Sequence, residues 1–66
     1  MKQYRVKYDG EWVNIQRMQG LYHFKKVDSE KDAELISEGR IYVGLSLVRQ
    51  DSDVDESKIE LIEYEE

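Results

Sequence analysis

YRVKYDGEWVNIQRMQGLYHF, residues 4–24, is the stretch whose reading decides the fold, because two tight-turn pairs, Asp9-Gly10 and Gln19-Gly20, separate runs of alternating apolar and polar residues. A type I′ turn needs positive φ at both central residues, a demand that Asp-Gly meets well. With Asp9 and Gly10 central, Tyr8 faces Glu11, Lys7 faces Trp12, Val6 faces Val13, Arg5 faces Asn14 and Tyr4 faces Ile15. Gln-Gly is a weaker signal of the same kind; it sets Met18 opposite Leu21, Arg17 opposite Tyr22, Gln16 opposite His23, Ile15 opposite Phe24 and Asn14 opposite Lys25. One face then collects Tyr4, Val6, Tyr8, Val13, Ile15, Tyr22 and Phe24, which commits it to the core. A slip of one residue would turn that whole set to solvent, so turn chemistry and alternation support the same register.

Working outward, the meander predicts strands over Lys2–Tyr8, Glu11–Met18 and Leu21–Val27. Ser29 followed by Asp32 resembles a capping box, Ala33, Leu35 and Ile36 form a short apolar stripe, and Gly39 suits a helix C-terminus, so a helix is expected over Ser29–Glu38. The apolar run Arg40–Arg49 reads as a central strand, with Gly44 at a bend. A polar loop, Asp51–Ser57, leads to a last strand, Lys58–Tyr64, whose apolar residues change phase, as at a bulge or where both sides are buried. The expected class is mainly β with one short helix after the third strand, in the order β-β-β-α-β-β: a five-stranded antiparallel barrel, OB-like or SH3-like, or a curled sheet. Fold alone implies no function.

The 66 residues form one small domain, 1–66, whose core is necessarily limited. Charged residues make up 38% and apolar ones 39%, and there is no cysteine and hence no disulfide framework or thiolate metal site. The lack of cysteine fits a reducing compartment, the cytoplasm by default. No run approaches the roughly 20 apolar residues of a membrane span, and the N-terminus lacks the apolar core of a signal peptide. The net charge of −5 divides unevenly: residues 1–27 carry six bases and two acids, the remainder four bases and thirteen acids. Opposite signs in the two parts point to a charged binding surface or to solubility patterning.

Two surfaces are candidates for contact. The polar face of the meander gathers Arg5, Lys7, Trp12, Asn14, Gln16, His23 and Lys25, a combination of cations and an aromatic that suits phosphate neutralisation and base stacking. The plain reading is a solvated sheet face on which Lys7 lies over Trp12 as a cross-strand pair. If nothing covers that side, Trp12, Met18, Leu21 and Val27 form an apolar strip open to a protein partner. The second candidate is acidic: Asp51, Asp53 and Asp55, with Glu56, Glu60, Glu63, Glu65 and Glu66, either imitate the charge of nucleic acid or guard a strand edge against aggregation. An EF-hand begun at Asp51 fails, because Glu56 and Ile62 stand where glycine and glutamate are required.

Catalysis has little support. His23 is the single histidine, no serine sits in a nucleophile elbow, and the glycines are isolated. The sequence therefore leads to a small non-catalytic binding module, an acidic protein-interaction or regulatory, inhibitor-like protein, with no cofactor and no metal. Its expected partner is another protein, with single-stranded nucleic acid as the alternative; it is no membrane partner, and it is a monomer or homodimer.

Overall fold

The computed structural model describes residues 2–64. Both turns form as the sequence requires: Asp9 and Gln19 have φ of 53°, Gly10 and Gly20 of 81°. They join β1 (Gln3–Tyr8), β2 (Glu11–Met18) and β3 (Leu21–Lys26). The β2–β3 ladder keeps the expected register throughout, from Met18↔Leu21 through Ile15↔Phe24 to Val13↔Lys26. The sheet is antiparallel and five-stranded, but it does not close, so it is a curled sheet and not a barrel.

The first hairpin departs from the expected register beyond its turn. Only Tyr8↔Glu11 and Lys7↔Trp12 pair. At the next rung, where Val6 should meet Val13, the main chain of Glu34 stands between them: Val6 N–H donates to the Glu34 carbonyl at 3.2 Å, and Glu34 N–H donates to the Val13 carbonyl at 2.9 Å. Beyond this wedge β1 pairs instead with β4 (Leu35–Ser37), through Gln3↔Ser37, Tyr4↔Ile36 and Arg5↔Leu35. One edge of β1 is thus shared between β2 and β4. Its other edge carries β5 (Ile59–Tyr64) in six unbroken pairs, so the phase change in the last strand reflects partial burial on both sides and no bulge.

The helix and the fourth strand exchange places relative to expectation, and the order is β-β-β-β-α-β. The Ser29 start signal opens only a short 3₁₀ turn, Glu30–Asp32, in which Ser29 Oγ bonds the Asp32 carboxylate at 3.1 Å and caps no backbone amide. The chain is extended again at Ala33, because the Glu34 backbone completes the split hairpin and Ile36 enters the core. Gly39 lies in a second 3₁₀ turn, Glu38–Arg40, that leads into α1 (Ile41–Asp51). Ile41, Leu45 and Val48 recur at i, i+4 and i+7, one stripe of a helix, and all three turn inward. Val6 and Val48 are fully buried, and Val6, Val13, Ile36 and Leu45 form the central cluster, against which Tyr8, Ile15, Phe24, Ile59 and Leu61 pack. Of the seven residues expected to face the core, Val6 and Val13 are buried and the other five are half-buried: Tyr8, Ile15 and Phe24 pack on the cluster, whereas Tyr4 and Tyr22 are not part of it.

Candidate functional site

The polar face of the meander is largely occupied with itself. The Lys7 ammonium lies 4.5 Å from the Trp12 ring centroid, as a cross-strand pair. The Arg5 guanidinium lies 4.8 Å from the Tyr64 ring and donates to the Ala33 carbonyl at 2.8 Å. Arg5 Nε and Asn14 Oδ1 are buried without a hydrogen-bond partner among the described residues. Gln16 pairs with His23, and Asn14 with exposed Lys25. Ser52 Oγ donates to the Tyr22 carbonyl at 2.7 Å and lies 2.9 Å from His23 Nδ1. Because that hydroxyl has one proton, His23 must donate from Nδ1. Trp12 and Val27 are half-buried, whereas Met18 and Leu21 are exposed at the second turn.

The acids are dispersed. Asp51, at the end of α1, accepts from the Tyr22 amide at 2.9 Å and so ties the helix to the free edge of β3. Asp55 accepts from Ser57 N–H at 3.0 Å and Ser57 Oγ at 2.7 Å, and these bonds hold its carboxyl below the usual range. Glu56 pairs with Arg49. Asp53 is exposed, as are Glu60 and Glu63 on the edge strand β5, with Glu63 3.8 Å from Lys2. Glu65 and Glu66 lie outside the described residues. Among the described residues no three metal-ligating side chains come together, and no helix is long and apolar enough to cross a membrane.

A different site emerges between α1, β4 and the split hairpin: an open groove of about 840 Å³. Its apolar walls are Val43 and Leu47 of α1, Leu35 and Ile36 of β4, and Ile15 and Tyr22 of the meander. Val43 is 61% exposed, Leu35 38% and Leu47 37%. Among the described residues, its charged lining is Glu34 and Arg40, with Gln3 and Ser37 adding polar groups. Glu34 Oε1 accepts from the Ile15 amide at 3.0 Å, so the side chain stands in for the next rung of β2.

The chain matches no family model, curated protein or solved structure.

The groove was not foreseen because its walls come from the two segments whose secondary structures were exchanged. A sequence signal existed: on a helix over residues 41–51, Val43 and Leu47 add a second i, i+4 stripe beside Ile41, Leu45 and Val48. That arc is wider than one contact surface on so small a sheet can cover.

Proposed function

We propose that this chain is a non-catalytic protein-interaction module whose contact surface is the groove between α1 and β4. The observation that carries this reading is the convergence of exposed Val43, Leu47 and Leu35 on one concavity. Scattered surface apolar residues are ordinary, but a contiguous concave set rimmed by polar groups is where partners bind. The dispersed acids then act in solubility and edge protection, and an acidic, regulatory role is a property of the whole surface. Binding of single-stranded nucleic acid to the Arg5, Lys7, Trp12, His23 and Lys25 face is the weaker reading. There Arg5 is committed to Ala33 and Tyr64, one face of the Trp12 ring is covered by Lys7, and the net charge is −5.

A photo-crosslinker placed at position 43, and separately at position 25 on the outer face, tests the assignment in cells expressing the chain. The expected result is one discrete protein adduct from position 43, reproduced with the purified partner and lost when Leu47→Asp is added on the same groove wall. Adducts from position 25 alone, or a nucleic-acid adduct there, would move the site to the outer face.

A further inference from the structure

The backbone along the groove narrows the class of partner. Glu38 N–H donates to the Lys2 carbonyl and Val6 N–H to the Glu34 carbonyl, so residues 34, 36 and 38 are the ones whose main chain turns toward β1. By antiparallel alternation, the N–H and C=O of Leu35 and Ser37 point the other way, into the groove. The lining includes side chains from both faces of β4, Leu35 and Ser37 from one and Ile36 from the other, as expected if the groove runs along the edge of that strand. Unpaired strand edges recruit other backbones.

Resting on the reading of the groove as a protein-contact site, we infer that its occupant is an extended peptide segment that adds to the edge of β4, presents apolar side chains at alternate positions to Val43 and Leu47, and carries an acidic residue beside Arg40. A strand lays every second side chain on the same side, which matches one apolar wall and one open one. A volume of about 840 Å³ is within the range of ligand sites. Gly44 supports close approach: a methyl group there would meet nothing nearer than Ile36 Cδ1 at 3.6 Å, so packing within the chain does not demand glycine in the middle of this helix. Charge bears on the partner. Among the described residues the lining has one anion, Glu34, whose carboxylate is held by the Ile15 amide, and one cation, Arg40, beside which an acid would sit; a second copy would bring −5 against −5.

Ser37 offers a substitution that reads the backbone alone. Its φ is −74°, within the range proline imposes, its side chain makes no cap hydrogen bond, and its N–H points away from β1. Ser37→Pro therefore removes one edge donor and leaves the fold intact, which thermal unfolding verifies. The probe is a displayed library of random heptapeptides selected on the full chain, with selected peptides made synthetically and titrated by fluorescence anisotropy. The inference expects peptides of alternating apolar pattern with an acid toward one end. Affinity should fall on the order of tenfold for Ser37→Pro, stay unchanged for Ser37→Ala, and fall about a hundredfold for Val43→Asp. Arg40→Glu should shift the selected terminal residue from acidic to basic. Peptides lost on Val43→Asp but indifferent to Ser37→Pro would overturn strand addition while leaving the groove as the contact site. Absence of enriched peptides, peptides indifferent to both variants, or a dimer that dissociates on Val43→Asp would overturn the inference; the indifferent result would remove the groove reading with it.

Discussion

Replacing Glu34 by alanine should loosen the split hairpin while leaving its main-chain wedge in place. The carboxylate accepts from the part-buried Ile15 amide at 3.0 Å, on the edge of β2 that β1 has left. Without it that amide has no partner among the described residues, and a buried donor left unsatisfied costs ~1–3 kcal/mol. For a domain of this size each kcal/mol corresponds to roughly 4–8 °C in Tm, so Glu34→Ala should lower Tm by about 5–20 °C. Glu34→Gln keeps an oxygen in the same place and gives up only the contribution of charge to the bond, about 1 kcal/mol. Thermal unfolding followed by far-ultraviolet circular dichroism and Trp12 fluorescence gives the stabilities, and hydrogen exchange at the Ile15 amide reports the bond itself. If the two variants are equally stable, or the Ile15 amide stays protected in Glu34→Ala, the side chain is not the missing rung of β2.

Gly10→Ala should cost ~1–2 kcal/mol although no atom lies within 4 Å of the added methyl, because φ at Gly10 is +81° and the penalty is purely conformational; a neutral result in urea titration would contradict the type I′ assignment. Val48→Ala, at a fully buried position, should cost about 2–3 kcal/mol from lost burial and the cavity left behind, read as a lower urea midpoint at unchanged m-value. Asp55 has a carboxyl pKa lowered by its Ser57 bonds, so its contribution is present above the unfolded carboxylate range and is lost as pH falls through the folded value. Urea midpoints measured below about pH 4 should therefore decline less steeply in Asp55→Asn than in the parent chain, and an identical acid limb would refute the coupling.

The two turns and the β2–β3 register were legible because they rest on contacts between near neighbours: Asp9-Gly10 and Gln19-Gly20 impose local geometry, and alternation does the rest. The wedge was not legible, since Glu34 lies more than 20 residues from both Val6 and Val13, and nothing in either strand announces that the third rung belongs to a distant segment. Residues 41–48 defeat periodicity for a different reason. Ile41, Val43, Leu45 and Leu47 satisfy a strand, while Ile41, Leu45 and Val48 satisfy a helix, so one sequence serves both templates. What decides is tertiary: Val6 and Val13 need covering, and a helix over Ile41–Asp51 packs Leu45 into one cluster with them while Asp51 and Ser52 secure its end to Tyr22. Of the contact surfaces, the Lys7–Trp12 pair could be read from register, whereas the groove could not, because it exists only once α1 and β4 stand in their actual order.

The wedge and the groove have one origin. Had β1 and β2 stayed paired along their whole length, β4 would have no edge to join and Ile15 would need no carboxylate. Because β2 curls away after two rungs, β4 takes the vacated edge of β1 with its own outer edge turned to the opening. The helix then faces more than it can bury: the stripe of Ile41, Leu45 and Val48 meets the core, and Val43 and Leu47 are left over the opening with Leu35. In a larger domain another element would cover them; here none of the described elements does. Glu34 stabilises one end of this opening through Ile15, so weakening that bond should alter the shape of the groove as well as the stability of the sheet. Loss of peptide binding in Glu34→Ala at temperatures well below its Tm, with binding kept in Glu34→Gln, would show that the side chain holding the hairpin apart also holds the binding site open.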